Sequence, residues 1–116
     1  MNKNKEDKFD KKLRLVFVLM LMISFAMVGV VGGMMNLTAV SMNGGRMPVD
    51  SSKLGYELSS DTHFTYENID EVNRHYLTDK FRIGKIIYSY GDFVIIFSFI
   101  LVLLCLIDYF YILFKY

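Results

Sequence analysis

Two long apolar segments dominate the pattern of hydrophobic and polar positions along the chain. The first, residues 15–35, holds 21 consecutive residues without an ionisable side chain. The second, residues 93–114, holds 22 residues, of which only Asp108 is charged. A hydrocarbon core about 30 Å thick needs roughly 20 helical residues at about 1.5 Å each. Because neither segment has the regular polar face of a soluble core helix, the pattern predicts two transmembrane helices.

The predicted fold is an all-α membrane protein, a two-helix transmembrane hairpin. A basic tail, residues 1–14, precedes the first span, and a 57-residue polar loop, residues 36–92, joins the two spans. Within the loop, residues 68–76 predict a short amphipathic helix, lying on the membrane or against the turn. Its apolar positions recur at helical spacing: Ile69, Val72 and Tyr76.

The start of the second helix carries a local signal. Ser89 and Asp92 have the spacing of a capping box, in which the serine caps the helix and the acid reaches back to the serine amide. A carboxylate in the first turn is also stabilised by the positive end of the helix dipole. This pattern predicts that the helix begins near Tyr90.

The distribution of basic residues predicts the orientation. Six of the 13 lysines and arginines lie in the first 14 residues, and another six are diluted through residues 36–92. Basic residues concentrate on the cytoplasmic side of membrane proteins, so both termini are predicted inside and the loop outside. The alternative for the first segment is a secretory signal. Its apolar run exceeds the roughly 7–15 residues of a signal core, which favours an uncleaved anchor.

The first span carries a stripe of residues that suits close helix packing. Gly29 and Gly33 form a G-x-x-x-G pair, and Asn36 follows on the same face. Small residues let two helices approach closely, and an asparagine can donate a hydrogen bond across the contact. The stripe predicts packing against the second span, with self-association or a membrane protein partner as the alternative.

Asp108 raises the question of an acid inside the bilayer. Only 15 uncharged residues separate it from Asp92, or about 22 Å of helix, which is less than the hydrocarbon thickness. Intramembrane acids are functional candidates, because they are expensive to bury. The favoured interpretation is an ion pair of Asp108 with Arg14, or with Lys11, at the cytoplasmic boundary.

Composition excludes several classes of function. The net charge of +1 does not indicate a nucleic-acid-binding surface. Cys105 is the only cysteine, so neither an intrachain disulfide nor a multi-thiolate metal site can form. His63 and His75 lack the spacing of a metal motif, and no nucleophile or phosphate-loop motif occurs. The prediction is a non-enzymatic protein without a metal or other cofactor.

Three motifs nevertheless resemble a known family. They are G-G-M-M-N (Gly32 to Asn36), N-G-G-R-M-P-V (Asn43 to Val49) and Y-S-Y-G-D (Tyr88 to Asp92). Together they resemble a bacterial integral membrane protein family without assigned function, marked by N-G-G-x-M-P-V and S-x-G-D. The resemblance runs from Gly32 to the end of the second span. Family members carry further spans before this region, so the chain is similar to their C-terminal half only, and a bacterial plasma membrane location is implied.

The same motifs supply a candidate ligand site. In a hairpin, the segments after the first span and before the second span meet at one surface, which makes Arg46 and Asp92 plausible partners. The favoured interpretation is a charge pair and a cap that close the hairpin. The alternative is a site for a lipid headgroup or a small polar ligand, with these candidate residues: Asn43, Gly44, Gly45, Arg46 and Asp92.

Two functions are therefore open. The first, which the sequence favours, is an accessory or structural component of a larger membrane assembly, held through the Gly29, Gly33 and Asn36 stripe by a membrane protein partner or a second copy. The second is a binding module for a lipid headgroup or a small polar ligand at the outer membrane surface. In both cases the lipid bilayer is the primary partner and nucleic acid is not expected.

Overall fold

Two long helices and a small cap that joins them make up the molecule. The structure is a computed structural model that describes residues 2–115, so Met1 of the predicted tail and Tyr116 lie outside it. The helices are α1 (Lys3–Ser41) and α3 (Tyr90–Lys115), packed side by side. The cap consists of β1 (Met47–Asp50), α2 (Ser51–Leu54), β2 (His63–Tyr66), β3 (Phe81–Ile83), β4 (Ile86–Tyr88) and two 3-10 turns, Ile69–Glu71 and His75–Leu77.

Both long helices meet the length and composition needed to cross a membrane. α1 has 39 residues, or about 58 Å of helix, and continues without a break from the predicted basic tail through the predicted span to Ser41. It ends at the Asn-Gly-Gly turn, where the Gly45 amide donates to the Val40 carbonyl at 2.9 Å. Gly44 and Gly45 have φ values of 72° and 85°, a conformation that glycine adopts at little cost.

The capping box at the start of α3 is confirmed. α3 begins at Tyr90. The Ser89 amide donates to Asp92 Oδ2 at 2.9 Å, and the Asp92 amide donates to Ser89 Oγ at 3.2 Å. The two side chains thus satisfy amides that the helix itself leaves unpaired at its N-terminus.

The contact between α1 and α3 changes character along its length. Near the cap it is made by small residues: a Cβ built on Gly32 would lie 2.8 Å from the Gly91 carbonyl oxygen. Farther along, Ser98 Oγ donates to the Phe25 carbonyl at 2.6 Å. Toward the other end the helices bury larger apolar side chains, including Val18, Cys105 and Ile112.

The cap contains strands, so the prediction of an all-α protein is wrong in this region. β1 lies parallel to β2, with Met47 opposite His63, while its other edge exchanges backbone hydrogen bonds with Asp79. β3 and β4 form an antiparallel hairpin. Residues from these segments form a small buried core: Met47, Pro48, Val49, Tyr66 and Thr78.

The amphipathic helix predicted over residues 68–76 is also wrong. The segment forms two separate 3-10 turns, because Val72 is extended and Arg74 has a left-handed φ of 53°. The cause is tertiary: the Asn73 amide donates to Asn43 Oδ1 at 2.8 Å, and Asn73 Nδ2 donates to the Met42 carbonyl at 2.8 Å. The chain therefore turns at Asn73 to close the end of α1, which a continuous helix cannot do.

Candidate functional site: a polar pocket between the cap and the helix ends

A partly buried hydrogen-bond network ties the cap end of α1 to the start of α3. Asn36 Nδ2 donates to Asp92 Oδ1 at 2.8 Å, and Ser89 Oγ donates to Asn36 Oδ1 at 2.6 Å. Ser89 is fully buried. With the Ser89 amide on the second oxygen of Asp92, both carboxylate oxygens accept a hydrogen bond. Buried polar groups that are satisfied in this way fix one relative position of the two helices.

Asp79 lies beside this network on a different element. Its backbone is held at the edge of β1, donating to the Pro48 carbonyl at 3.0 Å and accepting from the Asp50 amide at 3.0 Å. Its side chain is only 9% exposed. Nevertheless, within the described residues its carboxylate accepts no hydrogen bond, and its closest charged neighbour is His63 Nε2 at 3.7 Å.

The surroundings of Asp79 disfavour its ionised form. Burial raises the pKa of Asp79 from its ordinary value of 3.8 to about 7, and the neighbouring carboxylate of Asp92 contributes in the same direction. Such a group is a candidate for a functional role, since binding of a cation or of hydrogen-bond donors would relieve both effects.

His63 is the third titratable group here. It begins β2, its side chain is 43% exposed, and its Nδ1 lies 2.8 Å from Thr62 Oγ1. The sequence predicts no metal motif around it, and the described residues hold no group of three or more His, Cys, Asp or Glu side chains that could bind a metal ion. The recorded contact of His63 in this site is with the carboxylate of Asp79, 3.7 Å from its Nε2.

These groups surround one pocket of about 390 Å³ between the cap and the ends of the long helices. Two carboxylates and one imidazole face it, and no lysine or arginine in the described part of the chain lines it. We refer to it as the polar pocket, and its lining residues are Asn36, Val40, Gly45, Met47, Thr62, His63, Asp79 and Asp92.

Some of the residues predicted to bind a ligand line the polar pocket, and others do not. Gly45 and Asp92 line the polar pocket, whereas Asn43 closes the end of α1 by donating to the Ala39 carbonyl at 2.7 Å. A Cβ built on Gly44 would meet nothing within 4 Å. Asn43 and Gly44 therefore shape the turn that leads into the cap and do not line the pocket.

Arg46 and Asp92 are not partners, contrary to the sequence-based expectation. Arg46 Nη1 donates to Ser59 Oγ at 3.1 Å and to the Ser60 carbonyl at 3.3 Å, and its guanidinium stacks 4.8 Å from the centre of the Phe64 ring. The recorded contacts of the Arg46 side chain are thus with β2 and with the loop that precedes it. The partner that Asp92 finds in α1 is Asn36.

The predicted packing stripe is shifted by part of a turn. A Cβ on Gly29 would lie 2.6 Å from Ser98 Oγ, and Asn36 bonds across the interface, so both residues face α3. A Cβ on Gly33 would meet nothing within 4 Å. Gly32 takes its place, because seven residues separate Gly29 from Asn36 and Gly32 lies between them on that face.

The predicted ion pair lies at the other end of the hairpin. Arg14 and Asp108 line one groove of about 660 Å³ between α1 and α3. Next to it, Lys11 Nζ donates to the Leu113 carbonyl at 3.1 Å. Arg14 and Asp108 therefore line the same groove, and a direct ion pair between them stays a prediction.

Sequence reasoning missed Asp79 as a site residue. No local pattern marks it, since it precedes a short hairpin and is held beside β1 by backbone pairing with a distant segment. Comparison of the chain with family models, with curated proteins and with solved structures finds no match. The resemblance to a bacterial membrane protein family therefore stays a prediction.

Proposed function

We propose that this chain is a membrane-anchored binding module whose polar pocket takes a small polar ligand at the outer membrane surface. One observation carries the proposal: the carboxylate of Asp79 is nine-tenths buried, faces the pocket and accepts no hydrogen bond from the described residues. No side-chain oxygen in the described residues is both fully buried and without a partner, so the carboxylate of Asp79 reaches the surface of the pocket, where His63 at 3.7 Å is its only charged partner among those residues. A mostly buried carboxylate with so few partners is poorly solvated. A ligand with hydrogen-bond donors supplies further partners.

The surface of the long helices supports the membrane anchor. Only 11% of the most apolar window of each helix is buried inside the protein, whereas the core helix of a soluble domain is mostly buried. Large side chains such as Ile23, Leu104 and Phe114 are more than half exposed. Apolar surface of this extent is unfavourable in water, and the acyl chains of a lipid bilayer would bury it.

The two ends of the hairpin support the orientation. The basic N-terminal turns of α1 lie at the end opposite the cap, and the positive-inside rule places that end in the cytoplasm. In this proposal the cap lies outside, on the outer face of a bacterial plasma membrane, the location that the motif resemblance implies. The polar pocket adjoins Asn36 and Asp92, the residues that border the two apolar segments, so it opens near the lipid headgroups.

The packing stripe does not by itself distinguish an accessory subunit from a binding module. Gly29 and Asn36 contact α3 of the same chain, as the favoured interpretation of the stripe predicts. Among the three residues of the stripe, Gly33 is the one with open space beside it. Membership of a larger assembly stays a prediction, as does the absence of enzymatic activity.

The test is a thermal-shift screen of the full chain in a mild detergent and phosphate buffer. The probes are small amines, polyols and carboxylic acids, and the variants are Asp79→Asn and Asp61→Asn. Asp61 is an exposed loop acid and is the matched control. We expect at least one probe to raise the unfolding temperature of the wild type and of Asp61→Asn, but not of Asp79→Asn. A screen in which no probe acts, or in which every active probe stabilises all three proteins equally, contradicts the proposal.

A further inference from the structure

The charges that line the polar pocket are unbalanced. Asp79 and Asp92 both face it, and among the described residues the only basic side chain in the lining is His63. Asp92 is already satisfied by Asn36 and by the Ser89 amide. Asp79 accepts no hydrogen bond from the described residues, and its one charged partner is the 43% exposed His63 imidazole at 3.7 Å, so its carboxylate stays accessible from the pocket next to a second negative charge.

This arrangement fits a cationic donor. An ammonium group brings a positive charge and three N–H donors and needs no acceptor of its own. A charge-assisted hydrogen bond to a carboxylate is about twice as strong as a neutral one. The compact charge also interacts favourably with Asp92, whose carboxylate disfavours ionisation of Asp79.

The lining discriminates between kinds of cation. Quaternary ammonium groups cannot donate hydrogen bonds and are recognised by cages of aromatic rings, whereas no phenylalanine or tyrosine lines this pocket in the described part of the chain. A metal ion requires several converging ligands, and the described residues hold no such cluster. A primary ammonium group is the cation that these side chains suit.

We infer that the polar pocket binds a primary ammonium group, with the carboxylate of Asp79 as its direct acceptor and Asp92 as the second negative charge. The inference rests on the proposed function and specifies its ligand. The ammonium group has two possible sources, because the pocket lies at the border of the apolar segments: a free amine, or the headgroup of an ethanolamine lipid.

Calorimetric titration of the full chain in detergent tests the ammonium chemistry. The probes are ethanolamine, its quaternary analogue choline and its neutral analogue ethylene glycol, in phosphate buffer. We expect ethanolamine to bind the wild type and the exposed-acid control Asp61→Asn, with at least tenfold weaker binding to Asp79→Asn. Choline and ethylene glycol should bind at least tenfold more weakly than ethanolamine to the wild type.

Native mass spectrometry distinguishes the two sources. The protein is released from bilayers that contain equal amounts of phosphatidylethanolamine and phosphatidylcholine. Preferential retention of phosphatidylethanolamine by the wild type, lost in Asp79→Asn, identifies the lipid headgroup as the source. Binding of ethanolamine without lipid preference identifies a free amine. Either result supports the inference.

A second variant guards against misfolding of Asp79→Asn. Val40→Trp fills the pocket from the helical surface of α1 without altering its charge, and it should also weaken ethanolamine binding at least tenfold. Binding of choline or ethylene glycol that depends on Asp79 overturns the ammonium inference and leaves the polar-ligand pocket standing. Absence of binding by ethanolamine and by both lipids overturns the inference, and a failed screen of all probe classes overturns the proposed function with it.

Discussion

Asn36 and Asp92, 56 residues apart in the chain, are joined by a hydrogen bond of 2.8 Å between the cap end of α1 and the first turn of α3. The bond fixes the relative position of the helices at the point where the polar pocket opens. It also occupies one oxygen of Asp92, which leaves Asp79 as the open carboxylate of the pocket. The pair of Asn36 and Asp92 thus joins the two helices and also lines the candidate site.

Removal of the asparagine should destabilise the hairpin. Asn36→Ala leaves Asp92 Oδ1 and the Ser89 hydroxyl without their partner, and a buried polar group that loses its partner costs about 1–3 kcal/mol. Unfolding by SDS in mixed micelles measures the change in free energy. Asn68→Ala, at an exposed position without a side-chain cap bond, should leave the free energy of unfolding within about 0.5 kcal/mol of the wild type.

A double-mutant cycle with Asp92→Ala isolates the pair. We expect a coupling of about 1 kcal/mol or more between the two positions, as for contacting residues in one network. Purely additive effects of Asn36→Ala and Asp92→Ala are incompatible with the bond as described.

Neighbouring glycines of α1 should respond in opposite ways to the same substitution. In Gly32→Ala the new methyl group would lie 2.8 Å from the Gly91 carbonyl oxygen, so the helices must separate, which costs about 1–3 kcal/mol. In Gly33→Ala the methyl group meets nothing within 4 Å, and stability should be unchanged or slightly higher. Equal losses of thermal stability in the two variants mean that the helix face is misassigned.

The contribution of Asp79 to the stability of the protein should fall as the pH rises from about 4 to about 7. Because the pKa of Asp79 is raised from 3.8 to about 7, the folded state holds this proton more tightly than the unfolded state. The penalty is absent below the ordinary pKa, grows through this range and is complete above about 7. One pKa unit corresponds to about 1.4 kcal/mol, so the whole effect is on the order of a few kcal/mol.

Asp79→Asn isolates this pH dependence. In amine-free buffer the variant should be more stable than the wild type at pH 8, and its advantage should shrink toward pH 5, while Asp61→Asn follows the wild type throughout. Because a histidine can change its charge near neutral pH and His63 faces Asp79, the comparison is repeated in a His63→Gln background. A difference between wild type and Asp79→Asn that stays constant from pH 5 to pH 8 rules out the titration.

The long helices and the capping box at the start of α3 were predictable because their signals are local. An uninterrupted apolar run defines each long helix, and Ser89 and Asp92 place the start of α3 within one residue. The glycine stripe was predicted only in part, since Gly29 and Asn36 define a face that includes Gly32 and leaves out Gly33.

The cap was not predictable, because its structure depends on contacts between distant segments. Residues 68–76 have helical periodicity, but hydrogen bonds between Asn43 and Asn73 break the segment. Arg46 was expected to meet Asp92, but it directly precedes β1, and the pairing of β1 with β2 brings its guanidinium over the Phe64 ring. Asp79 becomes a site residue only through its backbone pairing with β1, which no pattern around it indicates.

The proposed orientation predicts the outcome of thiol labelling in intact cells. Single cysteines are introduced at Asn4 or Asp70, both exposed, in a Cys105→Ser background. An impermeant reagent should label position 70 in the cap, and position 4 only after the cells are lysed. Labelling of position 4 and not of position 70 in intact cells reverses the topology and places the polar pocket in the cytoplasm.

The most direct test of the ligand site is carboxyl-carbon NMR of the full chain with ¹³C-labelled aspartate. The Asp79 resonance is assigned by its absence from Asp79→Asn, and ethanolamine is then added in amine-free buffer. We predict that the Asp79 resonance shifts with a saturating dose response, that Asp92 shifts less, and that the exposed Asp61 does not move. A spectrum in which Asp79 stays unchanged while ethanolamine binds, or in which all aspartates shift alike, contradicts the assignment of Asp79 as the acceptor.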